Sequence, residues 1–307
     1  MAFRSRPGCR PAAVPRARVA TLFVFGLASA LHGACARADW ELGATAGAFY
    51  DDNLTRAQSP ADKRSAGAVT AQASAINFVP FTGSDGVTLT LYARGELFSR
   101  YTGLGNVVGG ATGVYRHKFG IGALAPWVSV SAGASYDDYR DDLRTSTRVD
   151  VRAEAGRRFS EDFDASAGVY YERRYDNNGE PVVPGISGNV FDLAGQGAFV
   201  RAGYSPTNEL YIDARAGVRR GDVESTSQRS FQIFIASSAI AADPVWGDPA
   251  LFAYRLRGTT WTGALTGSYA LSSQTSLDVA YNYGFTRAAQ GLEYTTNAIF
   301  LTLNYRH

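Results

Sequence analysis

Cysteine, methionine, lysine and histidine are all scarce in these 307 residues. The cysteines are Cys9 and Cys35, the only methionine is Met1, and lysine occurs only at Lys63 and Lys118. Both cysteines fall in the first 38 residues, a segment laid out like a secretory signal peptide. Arg4, Arg6, Arg10, Arg16 and Arg18 open it without an acid. Val19–Leu31 then forms a 13-residue apolar stretch, and Ala36-Arg37-Ala38 is a small-x-small cleavage site before Asp39. That stretch is too short to cross a bilayer as a helix, which takes ~20 residues.

With 1–38 read as a cleaved signal peptide, residues 39–307 contain no cysteine. Disulfides, thiolate catalysis, cysteine-ligated zinc and iron–sulfur clusters are thereby excluded, and no cofactor is expected. The leader takes away six arginines and no acid, so the formal charge moves from +2 to −4. A nucleic-acid partner would call for a marked basic excess, which is missing. His32, three residues before Cys35, suits a lipid-attachment signal badly, and the leader has no Arg-Arg pair for a twin-arginine route.

What the remainder has in quantity is period-two alternation. Trp40, Leu42, Ala44, Ala46, Ala48 and Tyr50 share one parity, as do Val87, Leu89, Leu91, Ala93 and Leu97. The same pattern runs through Val128–Tyr136, Val149–Ala155, Ala165–Tyr171, Leu210–Val218, Leu277–Phe285 and Ile299–Tyr305, with a further segment at 252–270. Weaker segments at 67–79, 107–120 and 189–203 complete twelve strands; ten or fourteen also fit. Successive side chains of a strand point to opposite faces, so each segment has one apolar and one polar face. Short polar turns (Pro80–Asp85, Gly122–Ala125, Ser160–Asp162, Ser205–Asn208, Ser272–Gln274) alternate with connections that include long ones (Asp51–Ala66, Asp137–Thr147, Asp176–Ser187, Gly221–Leu251). Within the last, 229–241 alternates briefly, and it is read as part of an outer loop because a thirteenth wall strand would break the even count.

A soluble β-sandwich shows the same alternation with its apolar face inside. Three features favour a transmembrane antiparallel up-and-down β-barrel over residues 39–307. The strands suit a tilted crossing of ~9–11 residues. Turns and loops alternate short and long. Aromatics such as Trp40, Tyr50, Tyr136, Tyr171, Trp261 and Phe285 gather at strand ends, as interfacial girdles do.

On this pattern the chain resembles the outer-membrane β-barrels of Gram-negative bacteria, porin-like in general character. The alternation Ile299, Leu301, Leu303, Tyr305 resembles the closing strand that the barrel-assembly machinery reads, although the last residue is His307 rather than Phe or Trp. The opening FYDDNLTRA (Phe49–Ala57) is similar to the first-strand exit of several proteobacterial barrels. The resemblance implies the bacterial outer membrane as location, with outer-membrane lipid, lipopolysaccharide and the assembly machinery as partners.

Enzymes on such barrels resemble one another in using histidine near the outer rim. Here His117 falls at the periplasmic end of strand four and His307 at the terminus, so no catalytic residue is assigned and the chain is read as non-enzymatic. The acidic run Asp137-Asp138-Tyr139-Arg140-Asp141-Asp142 suits either a solvated loop, divalent-cation bridging to lipopolysaccharide or carboxylate-pair chemistry on glycans. No metal ligand set is assigned. The polar parity offers candidate lumen-lining residues: Arg94, Glu96, Arg100, Arg116, Asp150, Arg152, Glu154, Glu172, Arg174, Asp213, Arg215 and Arg219. Charges inside a pore set a selectivity field, and an arginine fork suits carboxylate and phosphate. Alternatively, the same residues form a cross-strand ladder that fills a narrow lumen. The reading is a porin-like channel or export-associated barrel for small anionic or glycan-type solutes. A structural or adhesin-like barrel with partner-binding extracellular loops stands as the alternative, and an outer-membrane hydrolase behind it.

Overall fold

The structure, a computed structural model, describes residues 40–176 and 178–307; the leader expected at 1–38 lies outside them. Twelve strands form the wall: β1 (Glu41–Asp51), β2 (Ala66–Pro80), β3 (Asp85–Phe98), β4 (Asn106–Lys118), β5 (Trp127–Tyr139), β6 (Ser146–Arg158), β7 (Phe163–Tyr175), β8 (Leu193–Tyr204), β9 (Leu210–Gln228), β11 (Leu251–Ala270), β12 (Thr275–Ala288) and β13 (Glu293–Arg306). Each pairs antiparallel with its neighbour. The ring closes through β13 on β1 and through β9 on β11. Closure leaves no unpaired edge along the wall, which is what lets a sheet stand in hydrocarbon. No described helix is long and apolar enough to cross a membrane. The helix α1 (Phe231–Ala236) and the four-residue strand β10 (Ala239–Ala242) belong to the β9–β11 connection.

Side-chain exposure follows the expected parity. On β1, Ala44, Ala46, Ala48 and Tyr50 are exposed outward, whereas Thr45, Gly47 and Phe49 turn inward. Val130, Val151, Val169, Leu265, Val279, Ile299 and Leu301 are all exposed on the outer face. A soluble protein would hide such residues. Here the exposed belt is the surface that lipid wets.

The two ends differ sharply. At one end the wall strands are joined by the tight turns expected from the sequence. The other, the loop end, holds nearly all of the fully buried side chains. Val223, Ile240, Phe252, Tyr254 and Leu256 form one cluster there, Val190, Phe191, Ala239, Ala241 and Ala253 a second, and Leu104, Trp246 and Leu251 a third. The hydrophobic core therefore sits at the loop end, in the connections and in the loop-end extensions of β9 and β11.

Two expectations are corrected. The connection read as Gly221–Leu251 is shorter, because β9 continues to Gln228 and β11 starts at Leu251, paired residue by residue. Gly221 looked like a turn signal, but it is a close-approach glycine within the strand: a Cβ there would lie 2.2 Å from the Ala194 carbonyl oxygen. The segment 189–203 also starts later as a strand, at Leu193, since Val190 and Phe191 are spent on the loop-end core. The stretch 229–241 is helix plus short strand and adds no thirteenth strand to the wall.

Candidate functional site

Inside the barrel lies a cavity of about 870 Å³. Six of the sequence candidates line it: Asp150 and Arg152 from β6, Glu172 and Arg174 from β7, and Arg215 and Arg219 from β9. The far wall, on β11 to β13, contributes Thr260, Thr262, Asn282, Thr286, Thr296 and Phe300. Phe49 of β1 stacks on Phe300 at 5.2 Å and meets Phe98 of β3 edge-on at 5.7 Å. The lumen is thus one arginine-rich wall facing a hydroxyl, amide and aromatic one.

Part of the arginine wall is a ladder. Arg219 Nε donates to Glu172 at 2.5 Å, and Arg148 pairs with Asp137 at 3.0 Å. Lower on the wall, Arg201 of β8 bonds to Asp213 and also donates to the Tyr211 hydroxyl at 2.7 Å. Arg94 and Glu96 pair with each other at 3.3 Å on β3. Arg152 and Arg215 differ. They lie against the ring of Phe199, with their guanidinium carbons 5.1 and 4.0 Å from its centroid, and among the described residues neither makes an ion pair. Two glycines open the space for this ring: Gly217 is its cross-strand partner, and a Cβ at Gly168 would come 2.7 Å from its edge. The contact is a cation–π arrangement, in which both cations keep donors free toward the cavity.

The remaining candidates lie elsewhere. Glu154 keeps the inward parity of β6, nearer the turn end than Arg152. Arg116, at the turn end of β4, stacks on Trp127 at 4.4 Å. Arg100 is off the wall: it follows the end of β3, is exposed, and sits 5.9 Å from the Tyr101 ring. Sequence reading missed Arg201, Phe199 and Arg148. Strand β8 is so rich in glycine and alanine that its parity was faint, and Arg148 fell between the connection read as Asp137–Thr147 and the strand read from Val149, whereas β6 starts at Ser146.

Above the cavity, the loops converge on one carboxylate. Asp243 accepts from Arg144 Nη1 and Nη2 at 2.9 and 2.7 Å, from Thr226 Oγ1 at 2.7 Å and from Trp246 Nε1 at 2.7 Å. Its side chain is 0% exposed. Burial alone would lower the Arg144 pKa, but Asp243 and Asp141 together hold it above its ordinary value. Trp246 packs edge-on against Tyr101 at 4.9 Å. The β3–β4 and β9–β11 connections stand on opposite sides of the ring, so this contact carries the 229–250 loop across the mouth. The β1–β2 loop joins the same cap. The Thr226 amide donates to the Thr55 carbonyl at 2.7 Å, and Arg56 pairs with Asp51 at 2.9 Å. Burial opposes the charge on Arg56, while Asp51 and Glu224 more than offset it and raise its pKa.

The acidic run at 137–142 is divided: Asp137 points to Arg148 inside and Asp141 to Arg144 in the cap. No group of three or more carboxylates or histidines is placed to hold a metal among the described residues. His117 lies at the turn end, its Nδ1 2.7 Å from Asp85 and its ring edge-on to Phe119 at 4.7 Å.

No known protein family and no characterised relative matches the chain by sequence. Solved structures do match. An outer membrane channel of Pseudomonas putida F1 superposes with a TM-score of 0.58 at 9% identity, covering 88% of this chain and 96% of that one. The NanC porin gives 0.47 at 6% identity (85% and 98% covered), and the outer membrane channel DcaP of Acinetobacter baumannii 0.41 at 12% (89% and 98%). The fold is that of the Gram-negative outer-membrane β-barrels.

Proposed function

We propose that the chain is a non-enzymatic, porin-like channel for small anionic or glycan-type solutes, with residues 229–250 as a constriction at its outer mouth. The observation that carries this reading is the pair Arg152 and Arg215, held on Phe199 inside the lumen without a carboxylate partner. A ladder built only to fill the interior would neutralise them, since an uncompensated charge in a low-dielectric space is costly. Two free guanidinium forks attract carboxylate or phosphate, while Thr260, Thr262 and Asn282 opposite offer hydroxyl and amide groups suited to a sugar. The test is reconstitution in planar bilayers under a salt gradient. The expected result is conductance with a reversal potential that reports anion preference; absence of any conductance in both the native and the loop-trimmed protein overturns the reading.

The packed cap favours one other reading, a structural or adhesin-like barrel whose loops bind a surface partner. Gln228 and Leu251 are cross-strand partners, so residues 229–250 are replaceable by a two-residue Asn-Gly turn that keeps the register. On the channel reading this raises conductance; on the adhesin reading it changes cell attachment and leaves conductance as it was.

A further inference from the structure

On the outside of the wall near the loop end, one row of side chains runs across successive strands as direct cross-strand neighbours: Tyr171, Gln196, Arg220, Thr259, Arg287 and Glu293. Two residues nearer the turn end, the next outward row reads Val169, Ala198, Val218, Trp261 and Phe285. Trp261 is 43% exposed and stacked on Phe285 at 5.7 Å. The change from aliphatic and aromatic to polar and basic within one row marks the edge of the hydrocarbon belt, where indole rings settle. Because long loops face outward in barrels of this kind, that edge belongs to the outer leaflet.

The basic side of this edge is concentrated. Arg220 and Arg287 are joined by Arg257, which is 88% exposed. Arg287 is 62% exposed and pairs with Glu293 at 2.7 Å, and Arg257 comes only within 3.9 Å of Asp222. Arg220 makes no ion pair among the described residues. On the opposite side of the barrel, Tyr50, Val69, Leu97 and Tyr136 hold outward positions toward the loop end, and none is charged.

The surface here is also grooved. A hollow of about 490 Å³ lies between Tyr171, Gln196, Arg220, Arg257 and Arg287, and it adjoins a more apolar one of about 730 Å³ floored by Val169, Ala198 and Val218. The two share Tyr171, Gln196, Arg220 and Thr259, and small outward residues of β8 such as Ala194 and Ala198 give them depth. Amide, hydroxyl and guanidinium groups thus sit at the head of an apolar trough that runs down the hydrocarbon face.

We propose that this groove binds the phosphorylated sugar headgroup of one lipopolysaccharide molecule, with Arg220 and Arg287 on its phosphate and an acyl chain along Val169, Ala198 and Val218. A planar guanidinium fork matches a phosphate with two parallel donors, and the lone cation of Arg220 supplies the charge that a phosphate completes. A chain laid in the trough covers apolar surface that is otherwise ridged and poorly filled by mobile lipid. The sugar hydroxyls face Gln196 and Thr259.

Native mass spectrometry on the folded, detergent-purified protein tests this, with lipid A as the probe. Lipid A is expected to remain bound to the native protein, whereas enzymatically dephosphorylated lipid A does not. Arg220→Gln weakens retention about fivefold and the Arg220→Gln, Arg287→Gln pair more, from ~1 kcal/mol per basic residue at a charged lipid surface. Ala198→Phe, which fills the trough, weakens it without touching the charge. Equal retention of the dephosphorylated form, or unchanged retention in the double variant, overturns the proposal. Phosphatidylglycerol retained as tightly as lipid A overturns the assignment of lipopolysaccharide as occupant, and complete competition by inorganic phosphate shows an anion site without a lipid. The native heat-dependent shift in gel mobility of each variant shows that loss of lipid is not loss of fold. Arg220 faces away from the lumen, so its replacement leaves conductance unchanged whichever way the channel reading falls.

Discussion

Asp243 receives both terminal nitrogens of Arg144 in a fully buried, two-pronged ion pair, although 99 residues of chain separate them. The pair ties the loop that crosses the mouth to the β5–β6 connection, and Thr226 and Trp246 satisfy the same carboxylate. Removing one partner leaves the other buried without compensation, which costs about 3–5 kcal/mol. Asp243→Ala is therefore expected to free residues 229–250 for limited proteolysis while the barrel keeps its heat-dependent gel mobility. Arg144→Met combined with Asp243→Leu, which removes both charges, should restore much of the protection. Equal protease sensitivity of Asp243→Ala and the native protein counts against the latch.

Charge at Arg152 and Arg215 sets ion preference if the lumen is the path. Replacing both with glutamine keeps hydrogen-bonding capacity and removes two cations that no carboxylate contacts directly among the described residues. The anion-to-cation permeability ratio, read from reversal potentials, is expected to fall about twofold or more. Arg219→Gln alone should change it less, because Glu172 already neutralises that arginine. The opposite ranking would place the selectivity field elsewhere on the wall.

Exchange of 229–250 for a two-residue turn removes α1, β10, Asp243 and Trp246 together. Single-channel conductance should rise and the open state should become steadier. Unaltered conductance would mean that the cap does not constrict the path.

The parity of β12 offers a test of orientation at one depth of membrane. Val279 is exposed on the lipid face, whereas Asn282 lines the inner cavity. Val279→Arg should destabilise the folded barrel by about 2–4 kcal/mol in a urea titration, the cost of arginine on the lipid face near the midplane. Asn282→Arg should unfold at nearly the native denaturant concentration but alter conductance. Similar losses in both variants would contradict the assignment of faces.

Much of the wall is legible in the sequence because its rule is local. Ala44, Ala46 and Ala48 alternate outward as Thr45, Gly47 and Phe49 turn inward, and no distant residue is needed to see that. Six of the candidate charges reach one cavity for the same reason: parity survives any bending of the sheet. The failures also have local causes. Gly221 reads as a break, yet it is demanded by the Ala194 backbone crossing beside it. Arg100 kept the right parity but lay beyond the last ladder bond of β3, where alternation no longer says which way a side chain points.

The sequence by itself determined a period-two wall with an apolar outside, a charged inside, short turns at one end and long loops at the other. A strand's two faces are assigned by chain geometry alone. Only the tertiary structure decided which charges are neutralised and how the loops meet. Arg152 and Arg215 both lie against Phe199, a residue of a third strand, and make no ion pair among the described residues. Asp243 finds Arg144 because ring closure brings two connections together across the mouth. Contacts between distant segments have no period, so they leave no trace in the order of residues until the barrel has closed.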